Sequence, residues 1–343
     1  MLITIIGAGI AGLTAALELA KRGGKVELLE RGTRLGLFAC SSLAGGMISP
    51  WCEMDGSDPA IAEMGERSLS WWQESFLGLV RNGTLVVATA RDSAELSRFS
   101  ERTHHYRWLD ENEIAELEPD LGKRFSKALF YPDEAHLDPK AAMQALADVL
   151  KLHDVNIRFG VNAQPKDIKS DWVIDCRGLA ARDILPKLRG VRGEMIIVKT
   201  NDIKLSRPVR LLHPRFSLYV VPRGEGLFML GATMLESESR ARVSVRSALE
   251  LLNTAYTLHP AFAEAEIIEM GADLRPAFAD NVPRLVQEGN RLFINGFYRH
   301  GFLVAPIMAQ QAVDIILGKT ELGKSGFGKI GQDNEDLRKQ RMA

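Results

Sequence analysis

Near the start of the chain stands Gly7-Ala8-Gly9-Ile10-Ala11-Gly12, a Gly-x-Gly-x-x-Gly sequence. It lies between a β-branched run, residues 2–6, and a segment, residues 10–22, whose Leu13, Ala16, Leu17 and Ala20 recur at helical spacing. Gly23-Gly24 stops that helix, and residues 25–30 (KVELLE) read as a second strand. A β-α-β unit this short requires parallel strands and a right-handed crossover, which few folds accommodate. Gly7 permits the tight turn, Gly9 lets a pyrophosphate approach the backbone, and Gly12 lets helix and strand pack closely. The helix start offers unpaired N–H groups and the positive end of its dipole to phosphates. Glu30 closes the second strand, close to the ~20-residue offset of the acid that takes ribose hydroxyls. An acid at that place disfavours a 2′-phosphate and leaves FAD and NAD both open.

The chain has 343 residues, which suggests about two domains. Lys and Arg number 43 against 44 Asp and Glu, without a basic block, which argues against a nucleic-acid partner. Cys40, Cys52 and Cys176 show no Cys-x-x-Cys spacing, so neither a metal site nor a disulfide framework is expected, and a reducing compartment is. Residues 1–20 are apolar but lack a basic flank and are interrupted by glycines, and no other stretch approaches a membrane span. A soluble, cytoplasmic protein without a membrane partner is expected.

Further along, residues 58–79 predict a helix bearing Trp71-Trp72, 84–89 a strand, and 91–125 helices with loops. Residues 139–151 predict a helix capped by Asp138, and 172–176 a buried strand. Strands over 194–199, 217–221 and 227–231 suit an antiparallel sheet; a strand over 291–295 and a helix over 303–317 close the pattern. The expected fold is α/β: a Rossmann-type dinucleotide-binding domain (1–80, 139–190 and 271–318) plus an inserted antiparallel-sheet domain (81–138 and 191–270), with a polar tail at 319–343.

Ser41-Ser42-Leu43-Ala44-Gly45-Gly46-Met47 is dense in small residues. Such a segment is either a flexible loop or a backbone passing beside a flat ring. With the fingerprint, it resembles the D-amino-acid oxidase/sarcosine oxidase family of flavoenzymes, and within it the glycine oxidases of thiamine biosynthesis, which have a segment like Ala44 to Glu53. Later motifs extend the likeness to about residue 318: Asp175-Cys176-Arg177-Gly178, Tyr219-Val220-Val221-Pro222-Arg223, Gly231-Ala232-Thr233-Met234, Leu274-Arg275-Pro276, and Gly296-Phe297-Tyr298-Arg299-His300-Gly301.

The resemblance implies FAD at the interface of the two domains. It assigns cofactor contacts to Gly7, Gly9, Ile10, Ala11, Gly12, Glu30 and Arg31, to Ser42, Ala44, Gly45, Gly46 and Met47, and to Cys176, Gly178, Gly301, Phe302 and Leu303. Relatives with covalent flavin use a cysteine in the last third; none follows Cys176, so the FAD is expected to be non-covalent. The substrate residues implied are Arg275 for a carboxylate, Tyr219 beside it, Arg299 on the flavin side and Met234 limiting the pocket. A planar guanidinium, always charged, suits such a carboxylate bidentately, and Pro276 holds Arg275 in extended geometry. From the residues alone, Tyr219 could be a strand aromatic and Arg299 the partner of Asp273 or Asp280. Phe297, His300 and Asp273 depart from the family pattern, which has His, Asn and often Gly there.

The activity implied is oxidation of a small amino acid, glycine first, to its imine and then to glyoxylate and ammonia. Oxygen is reduced to hydrogen peroxide, and the imine is handed to thiazole synthesis. The alternative is an oxidase or dehydrogenase of the same family acting on sarcosine, a D-amino acid or another amine, and a flavin-bearing accessory subunit is the alternative of another class. A homo-oligomer is expected.

Overall fold

The N-terminal residues form the expected unit in the computed structural model, which describes residues 1–214 and 216–321; the expected polar tail lies outside the described residues beyond 321. β1 (Leu2–Ile6), α1 (Ile10–Lys21) and β2 (Lys25–Glu30) come first, then β3 (Met47–Ile48) and α2 (Pro59–Ser75). β4 (Thr84–Ala88), α3 (Ala94–Arg102), β5 (Arg107–Asp110), α4 (Glu111–Leu117), β6 (Lys127–Tyr131) and β7 (Ala135–His136) follow. Next are α5 (Pro139–Leu152), β8 (Ile157–Phe159), β9 (Trp172–Asp175), β10 (Arg189–Lys199), β11 (Val209–Leu212), β12 (Leu218–Pro222) and β13 (Leu227–Gly231). The chain continues through α6 (Val245–Leu258), β14 (Glu266–Ala277), β15 (Arg284–Glu288), β16 (Arg291–Asn295) and α7 (Gly301–Ile316).

Two large sheets and a small antiparallel pair, β3 with β7, result, and the fold is α/β. The first has six strands in the order β15-β16-β9-β1-β2-β8, and the second eight in the order β14-β10-β13-β12-β11-β4-β6-β5. β1 pairs in parallel with both β2 and β9, so the middle of the first sheet is a doubly wound nucleotide-binding core. The second sheet is antiparallel except where β11 runs parallel to β4. Among the described residues, no helix is long and apolar enough to cross a membrane.

Sequence chemistry explains the central elements. Gly7 takes φ +100°, and a Cβ on Gly12 would run into the Gly7 carbonyl, so strand and helix can meet this closely only through glycine. Ile3, Ile5, Leu13, Leu17 and Leu28 are buried with Trp72, Phe302 and Val304, joining the first sheet to α1, α2 and α7 in one core. The Asp138 side chain caps α5 through the Ala141 N–H, as predicted. A separate core of Val209, Leu211, Leu218, Val220 and Leu230 lies between the second sheet and Leu251, Ala255 and Leu258 of α6.

Several elements differ from the sequence-based expectation. The helix over 58–79 ends at Ser75, and the stretch 91–125 contains the strand β5. The strands β3, β6, β7, β8, β11, β14 and β15 and the helix α6 were not expected. β14 stays in the larger sheet through Ala277, past the expected domain boundary at 271.

Candidate functional site

A cavity of about 400 Å3 runs between the two sheets. At one end are the turn after β1, the end of β2 and the start of α1; at the other, Tyr219, Arg275 and Arg299. Gly7, Gly9, Ile10, Ala11, Glu30, Arg31, Ala44, Gly45, Cys176, Gly178, Gly301 and Phe302 line it with those three. Gly12, Ser42, Gly46, Met47, Leu303 and Met234 do not.

The nucleotide end is a cradle of small residues. Gly9 has ordinary extended backbone, and a Cβ there would meet nothing closer than Ser41 Oγ at 3.6 Å, so its open side faces the cavity. The Ile10 N–H donates to Ser41 Oγ at 3.2 Å. Ser41 is therefore the serine of this segment that faces the helix start. Ser42, expected there, turns its hydroxyl to the Gly36 and Ala39 carbonyls instead. Glu30 is buried at the end of β2 and accepts from the Ala8 N–H at 2.8 Å and the Gly32 N–H at 2.7 Å. Each carboxylate oxygen has a second lone pair for a ribose hydroxyl. These features fit FAD: glycine backbone for a pyrophosphate, an acid for the ribose, and a bare backbone strip beyond.

That strip is Ala44-Gly45. A Cβ on Gly45 would stand 2.9 Å from Tyr219 Cε2, so only glycine lets this backbone lie on the tyrosine ring. Arg223, at the end of the Tyr-x-Val-Pro-Arg strand, fixes it further. Its Nη2 donates to the Gly45 carbonyl at 2.7 Å and the Ala44 carbonyl at 3.2 Å, and its Nη1 to the Leu137 carbonyl at 2.5 Å. Arg223 stands in the Tyr-x-Val-Pro-Arg motif, but nothing local in the sequence signals this role. Gly46 and Met47 act behind the strip: the Leu137 N–H donates to the Gly46 carbonyl, and Met47 packs with Met195, Val221 and Met229 beside Tyr219. Leu303 is buried against α2 at Gly65.

At the other end, Arg275 and Tyr219 come from strands of the larger sheet. Arg275 Nη1 donates to the Thr233 carbonyl at 2.9 Å, and its guanidinium lies over Gly193 of β10. Burial raises the Tyr219 phenol above its ordinary value, keeping it protonated as a donor. Arg299 pairs with neither Asp273 nor Asp280; its Nε lies 3.1 Å from Glu53 Oε2. Met234 is half exposed at the mouth, with its Sδ 3.4 Å from Tyr298 Oη. Asp273 forms an ion pair with Arg240 at 3.2 Å.

Among the described residues no histidine lines the cavity, and the lining carboxylates are occupied. Glu30 is held as above; Asp183 pairs with Arg177 at 2.9 Å, Glu194 with Arg192 at 2.6 Å, and Asp273 with Arg240. Cys40 also lines the cavity, but burial and then the nearby Asp273 push its thiol up to about 12, so it is not a nucleophile at neutral pH.

Comparison with known proteins adds the following. The family model described as DAO, FAD dependent oxidoreductase, matches residues 3–315. A Rhizobium etli protein named "Putative thiamine biosynthesis oxidoreductase ThiO" is 50% identical over 325 residues, covering 94% of this chain and 98% of its own. The glycine oxidase of Bacillus licheniformis is 27% identical over 352 residues, covering 92% of this chain and 94% of its own. The crystal structure of glycine oxidase from Geobacillus kaustophilus superposes with a TM-score of 0.81 at 23% identity, covering 95% of this chain and 96% of that one. At that identity the superposition speaks for the fold.

Proposed function

The chain belongs to the DAO family of FAD-dependent oxidoreductases, and from that membership we propose that it oxidises glycine to its imine in the service of thiamine biosynthesis. Oxygen is the acceptor in this reading, the first sheet holds the cofactor, and the second presents the substrate residues. The name of the Rhizobium etli relative supports a place in thiamine biosynthesis, and those of the glycine oxidases support the substrate. Three unbridged cysteines suit the cytoplasm.

The observation that carries the reading is the joining of two kinds of site in one cavity. A glycine-lined nucleotide cradle leads, past Ala44-Gly45, to two guanidiniums and a phenol. Bound FAD supplies the two-electron oxidation of the substrate Cα–H bond. The chain's own residues orient the substrate. Arg275 has N–H donors left over after its bond to Thr233 and takes the carboxylate, Tyr219 adds a neutral donor, and Arg299 adds a second guanidinium to the same end of the cavity. With every lining carboxylate already paired, the ammonium proton leaves to solvent rather than to a protein base. A small amino acid held by its carboxylate alone then directs its Cα toward the Ala44-Gly45 strip.

Anaerobic mixing of the yellow protein with glycine, sarcosine and small D-amino acids tests this directly. Bleaching of the flavin by glycine, reversed by air with peroxide release, is expected. Bleaching by another amine alone would move the substrate within the family, and no bleaching by any would sink the oxidase reading.

A further inference from the structure

Arg299 reaches the substrate end of the cavity but is held from outside it. Its Nε is 3.1 Å from Glu53 Oε2, and its Nη2 donates to the Asp55 carbonyl and to Ser57 Oγ, each at 3.1 Å. Nη1 is directed to Met234 Sδ, 3.7 Å away. All three ties come from one short stretch, the 3-10 turn Cys52–Met54 and the residues just after it. Glu53 is absent from the cavity lining, so its carboxylate meets Arg299 rather than a ligand.

That turn is braced by another arginine, which is buried. Arg210 of β11 is 8% exposed, donates from Nη1 to the Cys52 carbonyl at 3.1 Å, and lies 4.9 Å from the Phe99 ring. Its guanidinium stands 3.9 Å from the Glu53 carboxylate and 3.8 Å from that of Asp55. The β11–β12 register sets Arg210 directly opposite Tyr219, and opposed residues of an antiparallel pair project from the same face. The base of Tyr219 and the brace of the Cys52–Met54 turn are therefore one rigid strand pair.

The charges balance. Arg210 and Arg299 face the carboxylates of Glu53 and Asp55, while His300, with Nδ1 3.6 Å from Glu53, is driven down to about 3 by burial and Arg299 and stays neutral. Burial opposes ionisation of Glu53, but the guanidiniums of Arg299 and Arg210 hold its carboxyl below the usual range. A guanidinium fixed through Nε and Nη2 surrenders little side-chain freedom when a ligand arrives, whereas a free one must give up several torsions.

We infer that Glu53, braced by Arg210, is a positioning residue that holds the Arg299 guanidinium at the substrate end of the cavity. This rests on the reading of Arg299 as a substrate residue given above. The test is a double-mutant cycle on the full-length, FAD-loaded protein with Glu53→Gln, Arg299→Met and both. The primary readout is the Kd for acetate, a carboxylate of glycine's size, followed through the flavin spectrum; KM and kcat for glycine accompany it. Glu53→Gln is expected to weaken acetate binding roughly tenfold, as loss of a charge-assisted tie would, and to raise KM more than it lowers kcat. In the Arg299→Met background it should change neither. An equal effect in both backgrounds would overturn the inference while leaving Arg299 a substrate residue. If Arg299→Met itself leaves acetate binding untouched, the reading of Arg299 falls and the inference with it. Should Glu53→Gln fail to retain FAD, Ser57→Ala removes one tie more gently. A smaller loss of acetate binding that disappears without Arg299 supports the inference, and no loss overturns it.

Discussion

Arg275 lies across the backbone of β10 at Gly193: a Cβ built on that glycine would stand 2.7 Å from Arg275 Nη1 and would overlap the rest of the guanidinium. The two residues sit on paired strands, with Arg275 opposite Val191 and Gly193 opposite Asp273. The missing side chain of one sets the direction of the other. Gly193→Ala should therefore leave the melting temperature nearly unchanged, because the obstructed atoms are the end of a flexible chain. KM for glycine should rise several-fold. A large fall in stability with unchanged KM would mean that Gly193 serves packing instead.

Arg275→Met removes the guanidinium and keeps much of the stem. Hydrogen bonds to charged groups contribute about 1.5–3 kcal/mol, so KM should rise by roughly one to two orders of magnitude while the protein stays yellow. Steady-state kinetics with a flavin absorbance check decides it, and an unchanged KM would take Arg275 out of the site.

Tyr219→Phe keeps the ring that packs against Gly45 and loses only the hydroxyl. Substrate binding should weaken by about 1 kcal/mol or somewhat more. Identical kinetics would make Tyr219 a packing aromatic alone.

Gly9→Val is expected to give folded, colourless protein. The backbone of Gly9 is open to any residue, with φ −74° and ψ −176°, and its Cβ direction leads into the cavity rather than into protein. Circular dichroism should match the parent while the flavin spectrum is missing; a fully yellow variant would move the pyrophosphate elsewhere.

Glu134 predicts a pH dependence of stability. It is fully buried behind the Cys52–Met54 turn and accepts from the Trp51 N–H at 3.1 Å and the Cys52 N–H at 2.7 Å. Burial raises its carboxyl from 4.5 to about 7. The folded state thus holds a proton that the unfolded state releases, so this stabilisation is complete below 4.5 and is lost as pH rises through 7. Glu134→Gln should flatten that part of the profile, reducing the fall in melting temperature between about pH 5 and 8. An equally steep fall in the variant would assign the slope to other groups.

The sequence made the nucleotide cradle legible because its constraints are local: Gly7, Gly12 and Glu30 are fixed by one turn and two adjacent strands. β14 was hidden because Glu266, Glu269, Asp273 and Arg275 interrupt any alternation, and Pro276 argues against a central strand. Both are tolerated because β14 is an edge strand. Choosing Ser41 over Ser42 depends on the rotation of one 3-10 turn, which two neighbouring serines do not disclose. The pairing of Arg299 with Glu53 joins residues 246 positions apart and has no local signal at all. Met234 was expected to wall the pocket, but the chain after Gly231 carries it out to the mouth.

The order in which strands enter the two sheets has a consequence for biogenesis. The chain leaves the first sheet after β2, returns for β8 and β9, departs again for β10 to β14, and comes back with β15 and β16. Neither sheet is a contiguous stretch of polypeptide, and pairings as remote as β4 with β11 must wait for the later partner to be made. Such wide sequence separation slows folding. A ribosome-bound fragment ending before β16 lacks the strand that flanks β9, so the nucleotide-binding sheet closes only once β16 has been made. Flavin loading is expected only after β16 is made, and cleavage between β8 and β9 should yield two pieces, neither of which retains the dye.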